Sequence, residues 1–202
     1  MSEALTVPAA IDARVSIRKY TDAPVPDADL HRILELAGKA PSAWNVQPWR
    51  FVAVRDPEVK QKLMAAAYNQ PQVGGAPVVI VVYSDMLDAM DRFPEAAHPG
   101  MPADKRDAHV QHVRATFGGQ SAEQREAWGA AQTYISVGYL LLAAQSLGYV
   151  TSPMLGFDPK AVKELLGIPA HASIPALVAM GVAAESGFSQ HRLPVDSIMR
   201  VI

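Results

Sequence analysis

Pro77-Val78-Val79-Ile80-Val81-Val82-Tyr83 is apolar and mostly β-branched at even and odd positions alike. A strand with one wet face alternates. One covered on both faces does not, so this stretch reads as a buried central strand. Working outward, Asn69-Gln70-Pro71-Gln72 and a Gly74-Gly75 turn lead into it. Before them, Arg50–Val54 reads as a short strand closed by Asp56-Pro57, and Glu58–Tyr68 as a helix. Further back, Asp27 is expected to cap a helix with Leu30, Ile33, Leu34 and Ala37 on one face, ending before Pro41. On the other side, residues 86–119 hold Pro94, Pro99, Pro102 and many charges. They read as a surface excursion, a cover with a short helix near Arg106–Phe117. Ser121-Ala122-Glu123-Gln124 has the capping-box pattern. The helix it opens runs to Leu147, stops at Gly148, and spans roughly 38 Å at 1.5 Å per residue. Its middle, Gly129 to Ala144, is apolar almost all round, which predicts cover on every side and a partner subunit supplying part of it. Gly148–Ser152 and Ala176–Val182 complete the strands, and Asp158-Pro159 opens a helix closed by Gly167. Helices and strands mix without regular βαβ alternation. The fold class is α+β, a mainly antiparallel central sheet wrapped by helices, in one domain over 1–202.

Composition narrows the function. The chain has 202 residues, 18 basic and 20 acidic, for a net charge of −2. That balance argues against nucleic-acid or membrane-surface partners. The absence of cysteine excludes a thiol nucleophile and cysteine-ligated metal. Met1–Ala13 lacks a basic start and a long apolar run, so no targeting segment and a cytoplasmic location are expected. The least charged stretch, Ala127–Phe157, is broken by Gln132, Thr133, Ser136, Gln145 and Ser146. It falls short of the ~20 apolar residues that span a bilayer.

Five segments could carry chemistry. In Arg14-Val15-Ser16-Ile17-Arg18, extended chain puts residues 14, 16 and 18 on one face. Guanidinium groups bind phosphate by paired hydrogen bonds, although a solvated strand face with Val15 and Ile17 inward gives the same pattern. Pro41-Ser42-Ala43-Trp44-Asn45-Val46-Gln47-Pro48-Trp49 is a loop rich in amides and indoles, with Trp49 read as a core plug. The carboxamides of Asn69, Gln70 and Gln72 match the donors and acceptors of a heterocycle edge, or make an ordinary turn. Pro153-Met154-Leu155-Gly156 permits close backbone approach to a flat ligand. Gln190-His191-Arg192-Leu193-Pro194 is a late basic site. The chain has no G-x-G-x-x-G, Walker, G-x-S-x-G or H-E-x-x-H motif. His109 and His112 read as a solvated pair, and no metal site is expected. His31, His98 and His171 read as surface residues, and Asp85, Asp88 and Asp91 as a wet helix face.

Taken in order, these pieces resemble the nitroreductase family of flavin oxidoreductases. They are R14-x-S16-x-R18 with Tyr20 and Pro24-Val25, APSxxNxQPW at 40–49, NQPQVxxAPVVIVV at 69–82, the long helix ending LGY, PMLGF at 153–157, and RLP at 192–194. The resemblance implies the nitroreductase-like fold and an intertwined homodimer with FMN bound at its interface. It implies NADH or NADPH as electron donor, and ping-pong transfer to a small-molecule acceptor such as a nitroaromatic, quinone or flavin. No protein nucleophile or general base is implied for hydride delivery.

The cofactor-binding residues it implies are Arg14, Val15, Ser16, Arg18, Pro41, Ser42, Ala43, Asn45, Asn69, Gln72, Pro153, Met154, Leu155, Gly156, Gln190 and Arg192. Arg14, Ser16 and Arg192 would face the phosphate. Arg18, Asn69 and Gln72 would face the pyrimidine edge. Pro41, Ser42, Ala43 and Asn45 would come from the partner chain. Trp44 and Phe117 would border the substrate. The chain departs from many relatives, which have Lys at the positions of Gln72 and Gln190 and Glu at that of Leu155. A specialised flavin enzyme, such as a reductive dehalogenase or a flavin-fragmenting enzyme, and a non-catalytic flavin-binding module are the alternatives at this point.

Overall fold

The computed structural model describes residues 4–202. Met1–Glu3, the start of the segment read for a targeting signal, lie outside the described residues. Four strands form one sheet: β1 (Trp49–Val54), β2 (Val78–Ser84), β3 (Val150–Met154) and β4 (Ser173–Gly181). Their order is β1-β2-β4-β3 and every pairing is antiparallel. The expected buried strand is therefore central, and both its faces are covered. Val78, Ile80 and Val82 join Ala176, Val178 and Met180 of β4 in one core cluster, beneath α2 (Asp27–Gly38) and α8 (Ala122–Ser146). Val79 and Val81 join Leu177 and Ala179 on the opposite face. There they meet α3 (Pro57–Ala66), α4 (Pro71–Gly75) and α9 (Pro159–Leu166).

Helix ends follow local chemistry. Ser121 and Gln124 complete the capping box of α8. Asp158 caps α9, and Gly167 ends it in the left-handed conformation (φ 66°) that a side chain disfavours. Asp27 departs from expectation. Pro26 is the cap residue, and Asp27 sits in the first turn of α2, paired with Arg55. The stretch expected as a turn at 69–75 is instead the helical turn α4, because Pro71 pre-sets φ at its first position.

The excursion is more ordered than its prolines suggest. It forms α5 (Met86–Asp91), α6 (Phe93–Ala96) and α7 (Ala103–Gly118), the last longer than the short helix expected. Pro94 lies in the first turn of α6 and Pro102 just before α7, where a missing N–H costs nothing. Met86, Ala89, Phe93, Val110, Val113 and Phe117 give this layer its own buried cluster with Val46.

Within one chain α8 is not enclosed on every side. Val137, Leu140 and Ala144 are buried, while Tyr134, Ile135 and Tyr139 are 45%, 37% and 44% exposed. Ser136 Oγ donates to Ala37 O at 2.9 Å, tying α8 to α2. Where α8 meets the sheet, a Cβ on Gly129 would lie 2.3 Å from Ser84 Oγ and 2.6 Å from Met86 Cγ. Gly129→Ala is therefore expected to cost about 1–3 kcal/mol through overpacking. A lower midpoint in urea denaturation checks this, and an unchanged midpoint contradicts it. No helix among the described residues is long and apolar enough to cross a membrane.

Candidate functional site

β1 begins, β2 ends, β4 begins and β3 ends on the same side of the sheet. The candidate segments form two groups, one at each edge: the loop at 41–49 and the segments at 69–72 and 153–156 lie at that side, while residues 14–18 pair with Thr151 nearer the start of β3.

The first group lies at the β3 edge. Ser16 forms a parallel bridge with Thr151, and Ile17 N–H donates to Thr151 O at 3.2 Å. Residues 14–18 therefore run as an extended segment beside β3, with Ile17 buried at 3% exposure. The alternation read from the sequence holds, and Arg14, Ser16 and Arg18 share the other face. Tyr20 locks the segment down. Its hydroxyl donates to Ile17 O at 2.7 Å and lies 3.2 Å from Ala179 O. Burial pushes its pKa far above the usual phenol range, so it stays a donor. Glu185, not singled out in the sequence, accepts the N–H groups of Arg18 at 2.9 Å and Lys19 at 3.2 Å.

Arg14 Nη1 is shut off from solvent and has no hydrogen-bond partner. Burial lowers the guanidinium's pKa, and the positive charge of Arg192 lowers it further. The two cations lie close enough to repel, and among the described residues Arg14 Nη1 meets no acceptor. A buried donor of this kind calls for a partner, and an anion satisfies both groups. Gln190 sets this arrangement. Its Nε2 donates to the carbonyls of Ile11, Asp12 and Arg14 at 2.6–3.1 Å, holding the late basic segment against α1 (Val7–Ala13) and beside Arg14. Its amide nitrogen is thus engaged with backbone.

The third and fourth segments join this group. Gln70 Nε2 donates to Gly156 O at 2.6 Å. Gln72, 4% exposed, donates from Nε2 to Gln70 Oε1 and approaches Met154 Sδ, both at 3.1 Å. A carboxamide string therefore connects the Asn69–Gln72 segment to the end of β3. Leu155 stands 68% exposed beside it.

The second group lies at the β1 edge. Ser42 Oγ accepts Gln47 N–H at 3.0 Å, Asn45 Nδ2 donates to Ala96 O at 2.8 Å, and Ala43 N–H donates to Gln132 Oε1 at 3.0 Å. Trp49 is buried, as a core plug should be. Arg50 pins the loop through Gln47 O and Trp49 O and pairs with Asp88. Asp88 is thus a tether between loop and excursion rather than part of a merely wet face. Trp44 stacks on Trp128 with centroids 6.2 Å apart and meets Phe117 edge-on at 6.0 Å. Phe117 is only 2% exposed, so Trp44 is the open edge of this aromatic group.

Among the described residues, the non-glycine residues with positive φ are Trp44, Asn45, Gln47, Tyr68 and Asn69. All fall in or beside these two loops. Strain of ~1–3 kcal/mol per residue persists where the surroundings impose it, commonly at binding sites.

Two half-sites thus lie three strand spacings apart, each spacing about 4.8 Å. The β3-edge half is cationic and carries carboxamides; the β1-edge half is a strained loop with an exposed indole. Sequence reading missed Glu185 and Gln132 as organisers of these halves, and Gln70, read as a candidate ligand-edge carboxamide, spends its Nε2 on Gly156 O. It also missed the convergence of Asp85, Glu126 and His171, for which the only signal was that Asp85 precedes a helix as a cap.

A helix-wrapped antiparallel sheet with an arginine pair at one edge and a strained loop at the other is the frame of the site. The chain belongs to the nitroreductase family, whose family model matches residues 11–182. It is 49% identical over 186 residues to an NADH dehydrogenase of Thermus thermophilus, covering 92% of this chain and 91% of that one. It is 35% identical over 193 residues to YdgI of Bacillus subtilis, assigned as an NAD(P)H nitroreductase, covering 92% of each. A structure from Exiguobacterium sibiricum, assigned as a nitroreductase and solved in complex with FMN, superposes with a TM-score of 0.91 at 28% identity. It covers 100% of this chain and 99% of that one.

Proposed function

We propose that this chain is an FMN-dependent oxidoreductase. It takes electrons from NADH or NADPH and passes them to nitroaromatic, quinone or related acceptors in a ping-pong cycle, as an intertwined homodimer. The observation that carries this reading is the partnerless, buried Nη1 of Arg14 beside Arg192. A flavin phosphate fits it, and relatives named for NAD(P)H chemistry and for FMN support the rest.

When bound, FMN supplies hydride acceptance and return at its tricyclic ring. The protein's part is placement and charge. Arg14, Ser16 and Arg192 hold the phosphate. Arg18, Asn69 and Gln72 line the pyrimidine edge, with Gln72 Oε1 left as acceptor because its nitrogen is already engaged. Pro153, Met154, Leu155 and Gly156 back one ring face. Pro41, Ser42, Ala43 and Asn45 of the partner subunit complete the cleft, and Trp44 borders the acceptor. The separation of the two half-sites supports a pocket shared between chains. So do the exposed aromatic and aliphatic side chains of α8 and the apolar end of the tail.

Anaerobic mixing of the purified, flavin-loaded protein with NADH or NADPH tests the reading. The yellow colour should bleach and return on adding an acceptor. Flavin that never bleaches would instead mark a non-catalytic binding module.

Arg18 gives a sharper test. Its fixed cation stabilises the negative charge that reduction places on the pyrimidine edge. A hydrogen bond to a charged group is worth ~1.5–3 kcal/mol. For a two-electron couple this is about 30–60 mV. Arg18→Ala is expected to lower the midpoint potential of bound FMN by that amount. An unchanged or higher potential rules the role out.

A further inference from the structure

Three groups from three elements converge outside the proposed flavin residues. Asp85 caps α5, Glu126 lies near the start of α8, and His171 sits in the turn before β4. Each offers a ligand atom, and the three lie within 4.8 Å of one another. His171 Nε2 is 3.0 Å from Asp85 Oδ1. Asp85 and Glu126 are 6% and 4% exposed. Glu126 Oε1 accepts Met86 N–H at 2.7 Å, but its Oε2 is buried and meets no donor. Ser84 Oγ, also buried, lies beside Glu126 as a neutral hydroxyl and brings no charge to the cluster. Two carboxylates shut in together, one with an unmatched oxygen, need compensating positive charge.

We propose that Asp85, Glu126 and His171 bind a divalent transition cation of the zinc type, with water filling the remaining coordination. Imidazole nitrogen and carboxylate oxygen are zinc ligands at ~2.0–2.2 Å, and in a tetrahedron such atoms stand roughly 3.4 Å apart. Small side-chain movements close the cluster to that spacing. The imidazole favours a transition metal over calcium or magnesium, which take oxygen ligands. A dication neutralises both carboxylates. The site is a clamp: it fastens the start of the excursion to α8 and to the entry of β4, far from any requirement for catalysis by the metal.

The test uses flavin-loaded protein treated with EDTA, desalted, and titrated with zinc chloride. Metal content and melting temperature are read together. About one zinc per chain should survive a second desalting, with melting raised by about 5–10 °C at a hundredfold excess over Kd. Glu126→Gln keeps an oxygen for Met86 N–H while removing the charge, and His171→Ala changes a group at the surface. Both variants should lose the retained zinc and the thermal shift. No retained zinc in the parent protein, or equal zinc in parent and variants, overturns the proposal.

Discussion

Arg14→Ala is expected to purify largely without flavin. Its Kd for FMN should rise about 10- to 100-fold, while its affinity for riboflavin stays near that of the parent. The magnitude follows from hydrogen bonds to a charged partner, worth ~1.5–3 kcal/mol, at 1.4 kcal/mol per tenfold. The direction follows from burial. Arg14 Nη1 has no partner among the described residues, so its charge is costly until an anion arrives. Burial and Arg192 both depress its pKa, and the substitution removes that repulsion as well. Arg14→Ala should therefore leave the melting temperature of the flavin-free protein unchanged or slightly raised. Riboflavin is the decisive control because it lacks only the phosphate. Equal losses for FMN and riboflavin would place Arg14 elsewhere than at the phosphate. Titration followed by flavin fluorescence reads both.

A chain ending at Pro194 is expected not to form the proposed homodimer at micromolar concentration. The removed residues include Val195, Ile198, Met199, Val201 and Ile202, which are 60%, 69%, 54%, 82% and 106% exposed. Apolar side chains so densely exposed mark an interaction surface. Each is worth ~1.5–3 kcal/mol when fully buried. Their loss should weaken association by several orders of magnitude, even after the cost of ordering the arm. Gln190 and Arg192 remain, so any loss of FMN in this variant comes from the missing partner. Sedimentation velocity reads the state. A shortened chain that remains a dimer with full flavin would show that the arm plays no part in assembly.

The sheet was legible because its central strand is apolar on both faces, and few other structures accept Val78-Val79-Ile80-Val81-Val82. The arginine face was legible for a related reason. Period-two alternation needs only five residues, and Arg14–Arg18 supply them. Edges were harder. Asp27 has the chemistry of a cap, but Pro26 holds the capping conformation and Arg55 takes the carboxylate. The excursion misled because prolines interrupt a helix interior yet suit its first turn, and Pro94 and Pro102 sit where they do no harm. His171 and Asp88 were read by their neighbours in sequence, whereas their partners Asp85 and Arg50 lie 86 and 38 residues away. Such encounters are set by how α5, α8 and β4 pack, and no local pattern announces them.

The separation of the cationic edge from the strained loop carries a genetic consequence. If each pocket draws one wall from either chain, damage to Arg14 and damage to Asn45 fall on the same pocket when the two defects reside in different chains. A mixed pair then holds one pocket spoiled twice and one left whole. Two inactive alleles expressed together would rescue one another, and neither would do so alone.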